Sequence, residues 1–312
     1  MITYLFYTLS INHLPMKKTA LLLIISCFSL IGYAQEPAGL DTTKRWTIHG
    51  ENTFLINQSS FSNWSAGGVN AFAGNLLFNY DFNYKKDKWS WDNKAIVGFG
   101  LSKQEDVGVR KNDDKIILNS LVGYKAAKYW LYTFYANFQT QFANGYSYKA
   151  DGTRTLISTA FAPAYLTFGP GFAYKRSDNF RVNISPAASR IVIVSDKTLN
   201  SQPGGAFGVK QGKTTDFQFG ASLDAYYKVN LMENISFENI LKLYANYLDK
   251  PQNVVTDYTG NLFMKVNKFV TVNAGVQLIY DDKTEILRKD GVNKGPALQV
   301  KQIFGAGLTY KF

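Results

Sequence analysis

The feature that most constrains this chain is a two-residue alternation that begins near Trp46 and recurs to the last residue. In its clearest stretch Phe72, Gly74, Leu76, Phe78, Tyr80, Phe82 and Tyr84 fall on one face, and Ala73, Asn75, Leu77, Asn79, Asp81, Asn83 and Lys85 on the other. Side chains alternate across a strand but return every three to four residues on a helix, so this pattern is a strand with one apolar and one polar face. After Lys85-Lys86-Asp87-Lys88 it resumes with Trp89, Trp91, Ala95, Val97, Phe99 and Leu101 against Ser90, Asp92, Lys94, Gly98 and Gly100, which predicts a long hairpin.

Extended along the chain, the alternation predicts strands near 46–57, 69–85, 88–103, 115–126, 129–143, 163–176, 180–195, 215–229, 234–249, 253–266, 269–282 and 299–312. Short connections alternate with longer ones at 58–68, 104–114, 144–162, 196–214 and 283–298. Strands this long exceed the usual soluble length, and a dozen in unbroken up-and-down order favour closure in a membrane over a soluble sandwich. The predicted class is all-β, an antiparallel up-and-down transmembrane β-barrel of about 12 strands, with lipid outside and polar groups inside. Aromatics, 15% of the chain, cluster beside the short turns as an interfacial girdle. A helical membrane protein is excluded, because mean hydropathy is −0.16 and no internal run approaches a membrane helix.

Met16-Lys17-Lys18, the apolar run Ala20 to Ile31 and Gly32-Tyr33-Ala34 read as a secretory signal peptide over 16–34, cut after Ala34. Residues 1–15 then form an upstream extension, 35–45 an N-terminal periplasmic segment and 46–312 the barrel. The one cysteine, Cys27, lies inside the signal, so disulfides and thiol catalysis are not expected. A loose lipoprotein box, Ile24-Ile25-Ser26-Cys27, would instead leave Cys27 acylated, but it would strand an apolar stub after the anchor. The formal charge of +11 is scattered among acidic residues and forms no nucleic-acid patch.

The last strand places Phe304, Ala306, Leu308, Tyr310 and Phe312 on one face, with Gly305, Gly307, Thr309 and Lys311 on the other. This ending resembles the terminal strand of bacterial outer-membrane barrels, which implies that Phe304, Leu308, Tyr310 and Phe312 act as an insertion signal. The resemblance implies two partners: outer-membrane lipid and the barrel-insertion machinery. Gln58 to Gly68, with the string Asn63-Trp64-Ser65-Ala66-Gly67-Gly68, and Phe161 to Arg190, with Gly169-Pro170-Gly171 and Ser185-Pro186-Ala187, resemble the domain of unknown function 3078. That resemblance implies an outer-membrane barrel and is silent on chemistry.

Catalytic candidates fail on count. Of two histidines, His13 precedes the signal and His49 stands alone on the inward register of the first strand, where a polar lumen residue near the barrel floor is the favoured reading over a catalytic one, and histidine-based metal sites fail on the same count. Asp106, Arg110, Lys111, Asp113 and Asp114 are read as a solvated loop whose spacing matches no calcium loop. Gly67-Gly68 and Gly204-Gly205 precede no helix and are turn glycines. Trp64 is a possible surface-binding residue, set against the blander reading of a loop ring folded on the rim. Ser185-Pro186 predicts a bulge, since proline donates nothing to a ladder.

On the inward register the pattern places Asp81, Asp92, Lys94, Asp216, Asp224, Lys228, Glu238, Lys242, Asp257 and Lys265, joined by Tyr135, Tyr226 and Tyr244. Six carboxylates facing four lysines predict pairing across a narrow lumen and a largely occluded interior. The expected protein is a monomer of the bacterial cell outer membrane, non-enzymatic and without cofactor or metal. It is either a structural barrel or a passive small-solute channel; the alternatives are a closed surface-binding or assembly-platform barrel and, more distantly, an outer-membrane hydrolase.

Overall fold

The computed structural model of the chain describes residues 45–59, 71–104, 108–148, 152–284, 286–287 and 294–312. The predicted extension, signal peptide and periplasmic segment up to residue 44 lie outside these residues, as do Trp64 and Asp106. The strands are β1 (Trp46–Ser59), β2 (Ala71–Lys86), β3 (Trp89–Gln104), β4 (Gly108–Lys125), β5 (Trp130–Thr140), β6 (Gly145–Tyr148), β7 (Arg154–Ser158), β8 (Ala164–Ser177), β9 (Phe180–Ile193), β10 (Thr215–Met232), β11 (Ile235–Asn246), β12 (Val254–Lys265), β13 (Val270–Tyr280), β14 (Ile286–Leu287), β15 (Lys294–Gly295) and β16 (Gln299–Lys311). Twelve of them close an antiparallel barrel in the order β1-β2-β3-β4-β5-β8-β9-β10-β11-β12-β13-β16, while β6–β7 and β14–β15 are small hairpins in long connections.

Closure joins β1 to β16, from Glu51 opposite Lys311 to Ile56 opposite Ala306. Gly50 and Phe312 extend this seam by exchanging two backbone hydrogen bonds of 3.0 Å. The Phe312 ring lies where a side chain at Gly50 would begin, 2.2 Å from an ideal Cβ, so a larger residue there would push the ring aside.

Alternation sends the large apolar residues outward. Phe304 is 66% and Leu308 58% exposed, and Phe78, Trp89, Phe134 and Phe219 are likewise open. In water such a surface would forgo roughly 25 cal/mol per Å² of hydrophobic stabilisation, whereas lipid accepts it. Beside the short turns the rings touch in series, as in Trp89 to Tyr124 (5.0 Å), Trp130 to Tyr174 (5.3 Å), Tyr174 to Phe180 (6.2 Å), Phe180 to Tyr227 (6.0 Å) and Tyr310 to Phe312 (6.1 Å). These ring contacts form the girdle at one end of the barrel.

One expectation is revised here and another is met. The polar run Arg110 to Asp114 is not a loop: β4 begins at Gly108, and a bulge between the Gly100 and Leu101 pairings absorbs Asn112 so that the ladder continues to Gln104. One inserted residue inverts the register, which hides the strand from a strict two-residue count. The Ser185-Pro186 stretch does hold a bulge, since Ala188 opposes Gly220 while Ser185 opposes Ser222. Ser185 is turned inward and fully buried.

At the long-connection end lies an apolar cap. Ala162, Val192, Val194, Leu199 and Val209 form a buried cluster with Leu156, Tyr165, Ala206 and Phe207 packed against it. A single helical turn, Lys197–Asn200, is capped by Asp196, whose side chain accepts from the Leu199 amide at 3.0 Å. The β9–β10 connection reaches across to the segment after β13, where Gly208 lies against the Lys283 side chain.

Candidate functional site: the lumen

Inside the barrel a cavity of about 460 Å³ runs from Thr47, His49 and Lys85 at the short-turn end to Asp113, Gln277 and Lys301 in the half nearer the cap. Of the ten lumen charges read from the sequence, Asp81, Asp92, Lys94, Asp224, Glu238, Lys242 and Asp257 line it. Asp216, Lys228 and Lys265 do not. They keep the inward parity but sit at or close to strand ends, where the wall gives way to the rims.

The pairing differs from the expected one. Of Lys94, Lys228, Lys242 and Lys265, only Lys94 has a carboxylate within 4.0 Å among the described residues, Asp81 on the neighbouring strand at 3.3 Å. The other cations come from residues the pattern had not singled out. Lys175 on β8 donates to Asp92 on β3 at 2.9 Å, with β4 and β5 between them in the wall. Lys301 on β16 pairs with Asp113 on β4, past three intervening strands, and Lys115 stands 3.9 Å from the same carboxylate. Arg181 reaches Asp224 at 3.3 Å, and the Tyr135 hydroxyl donates to Asp224 from the facing side at 3.5 Å.

Bridges across the lumen arise because the inward wall is a low-polarity enclosure. An ionised group left alone there would cost several kcal/mol, so Lys175, Lys301 and Arg181 extend to an opposite charge, even on a distant strand. Toward the cap, Arg190 on β9 pairs with Asp281 beyond β13 at 3.4 Å. Its guanidinium lies 4.9 Å from the Tyr165 ring and 5.4 Å from that of Tyr244, so two aromatic faces and one carboxylate hold it.

Glu238 and Lys242 do not pair with each other. Glu238 accepts from the Tyr226 hydroxyl at 3.0 Å and from the Asn261 amide at 3.5 Å. Lys242 reaches over to Asn119 on β4 at 3.5 Å. Asp114, read as a loop carboxylate, takes the Lys111 ammonium at 2.8 Å and the backbone amides of Phe142 and Ala143. These partners occupy the oxygens a calcium ion would need, and no cluster of metal ligands is formed among the described residues.

The interior is also less polar than the alternation implied. Leu55, Leu77, Ile96, Ile117, Ile240 and Ile303 face the cavity. The signal was present, since Ile303 and Lys301 continue the face of Gly305, Gly307 and Thr309 backward from the terminus, but a lone aliphatic in a polar register reads as noise. Beside the seam, Thr53, Thr309 and Thr271 form an inward hydroxyl ladder, with oxygen separations of 3.0 and 2.6 Å. Phe304, Leu308, Tyr310 and Phe312 lie on the outer surface, and His49 lines the cavity at its short-turn end.

Among solved structures the chain is similar to an outer membrane channel from Pseudomonas putida F1, at 11% identity over 89% of this chain and 98% of that one, with a TM-score of 0.38. It is also similar to the translocator domain of the autotransporter NalP from Neisseria meningitidis, at 11% identity over 95% and 98% of the two chains, with a TM-score of 0.32. The NanC porin aligns at 8% identity over 83% and 99%, with a TM-score of 0.34. No curated protein matches the sequence. Residues 56–146, from the end of β1 into the β6 hairpin, match the model of a family described as protein of unknown function, DUF3078.

Proposed function

We propose that this chain is a monomeric barrel of the bacterial outer membrane, without catalytic activity, whose lumen is braced against bulk flow and leaves at most a narrow path for small solutes. The observation that carries the reading is the set of ion pairs that cross the lumen, Lys175 to Asp92, Lys301 to Asp113 and Arg190 to Asp281. The apolar outer face and the ring girdle support a bilayer as its solvent, and the seam closed by Phe312 supports the reading of the terminal strand as an insertion signal. In planar bilayers the purified barrel is expected to show small, rare current steps; a steady conductance of open-porin size would overturn the braced lumen. Deletion of Phe312 is expected to lower the yield of heat-modifiable barrel severalfold, and an unchanged yield would remove the seam from the insertion signal.

A second reading is favoured by the cap, which has an apolar core of its own around Val192, Val194 and Leu199. On this reading the barrel is a platform for a surface partner. It predicts zero conductance together with a protein that co-purifies through the long connections.

A further inference from the structure

Four strands carry the same inward pair, a lysine and an isoleucine two residues apart: Lys94 with Ile96, Lys115 with Ile117, Ile240 with Lys242, and Lys301 with Ile303. Residues two apart on a strand share a face, so each pair presents an ammonium directly beside a branched aliphatic surface. Strand direction then sorts them. On β4, β11 and β16 the lysine lies on the cap side of its isoleucine, and on β3 it lies on the other side. Leu55 and Leu77 join the four isoleucines in an apolar band around the cavity.

Above that band the charges do not balance. At that level and above it, Lys115, Arg181, Lys242 and Lys301 face Asp113, Asp224 and Asp257, and because Asp224, opposite Lys242 in the ladder, is taken by Arg181 at 3.3 Å, one cation is left in excess. Asp113 is shared by Lys115 and Lys301, and Asp257 accepts from Gln277 at 3.0 Å. Lys242 has no carboxylate within 4.0 Å among the described residues, and its contact is the Asn119 amide oxygen at 3.5 Å, a long and neutral partner for an ammonium. The cavity volume of about 460 Å³ falls within the range of small-molecule sites, which combine an apolar wall with a few placed charges.

We propose that the lumen binds an amphipathic organic anion, its acid group on Lys242 and its aliphatic body against the Ile117, Ile240 and Leu77 band. This rests on the braced-barrel reading above and names the class of solute that barrel holds. A carboxylate would displace the weak Asn119 contact and complete the charge count above the band, while the apolar body would cover aliphatic surface that the lumen otherwise leaves to water.

The test is equilibrium dialysis of radiolabelled decanoate against the barrel in lipid nanodiscs, with empty nanodiscs subtracted and decyltrimethylammonium as the matched cation. Saturable uptake of decanoate is expected, with no saturable uptake of the cation. Lys242→Met is expected to weaken decanoate binding about tenfold or more, and Ile117→Asn, from the facing wall, also weakens it; heat-modifiable migration reports that each variant is folded. Uptake no greater than by empty nanodiscs, equal binding by wild type and Lys242→Met, or equal uptake of the cation would each overturn the proposal. The conductance trace separates this from the parent reading, because an open pore that still binds decanoate overturns only the brace, and a braced barrel that binds none overturns only the ligand.

Discussion

One sector of the barrel interior is filled and the other is left open, although both are built from the same alternating strands. Along β5, β8, β9 and β10 the inward wall is made of small residues, among them Gly169, Gly171, Ala173, Ser185 and Ser222, and polar side chains fill the space they leave. Tyr135, Asn183, Gln218 and Arg190 are all buried there, with the Thr133 hydroxyl donating to Asn183 at 2.6 Å and the Asn183 amide to Ser185 at 3.3 Å. Along β1 to β4, β11 to β13 and β16 the inward residues surround most of the cavity rather than fill it, and Tyr135, Lys175, Arg181, Asp224 and Tyr226 border it from the first sector. Small wall residues let neighbouring polar groups approach to hydrogen-bonding distance, whereas facing aliphatics and lysines meet only where an ion pair draws them across. Stability should therefore reside in the first sector and the cap, and permeability and ligand contact in the second.

The largest effect expected from this contrast is at Arg190. Arg190→Ala would leave Asp281 buried without its partner and empty the space between Tyr165 and Tyr244, at a cost of about 3–5 kcal/mol. Urea unfolding of the barrel in bilayers measures it, and a loss below about 1 kcal/mol would erase the distinction between the sectors. Next is the cap core, where Leu199→Ala removes a fully buried side chain and should cost about 3 kcal/mol, with little change in conductance.

Smaller effects belong to the open sector. Asp113→Asn releases Lys301 and Lys115, but both lysines reach the water of the cavity, so a loss of about 1–2 kcal/mol is expected. The same variant should raise the single-channel conductance, since it removes a trans-lumen brace; unchanged current would mean that the brace lies outside the path. Smallest is Ile117→Ala, at about 1 kcal/mol or less, because its side chain borders open space and leaves no new void in a packed core. A cost near that of Leu199→Ala would show that the cavity is closed around it.

How much of this was legible in the chain follows from the period. Phe72 to Lys85 and Val300 to Phe312 carry an uninterrupted alternation, and their strands, facing and outer surface are all contained in it. The start of β4 was not, because the bulge at Asn112 breaks the parity and Arg110 to Asp114 then look like a charged loop. Inward charges inside unbroken alternation, such as Asp81, Asp92 and Asp224, could be placed on the lumen wall. Their partners could not, since Lys175 and Asp92 are 83 residues apart and Lys301 and Asp113 are 188 apart.

By itself the sequence determined the local quantities: which residues extend, which face each side chain takes, where the chain turns, and that the broad apolar face needs lipid rather than a protein core. Those follow from steric alternation and hydrophobicity, which act over a few residues. The closure of β1 on β16, the bridges across the lumen, the filling of one sector and the unfilled band beside Lys242 were decided only by tertiary structure. Each depends on the distance between strands remote in sequence, and electrostatic pairing in a narrow, poorly solvated interior responds to that distance and to nothing the chain displays along its length.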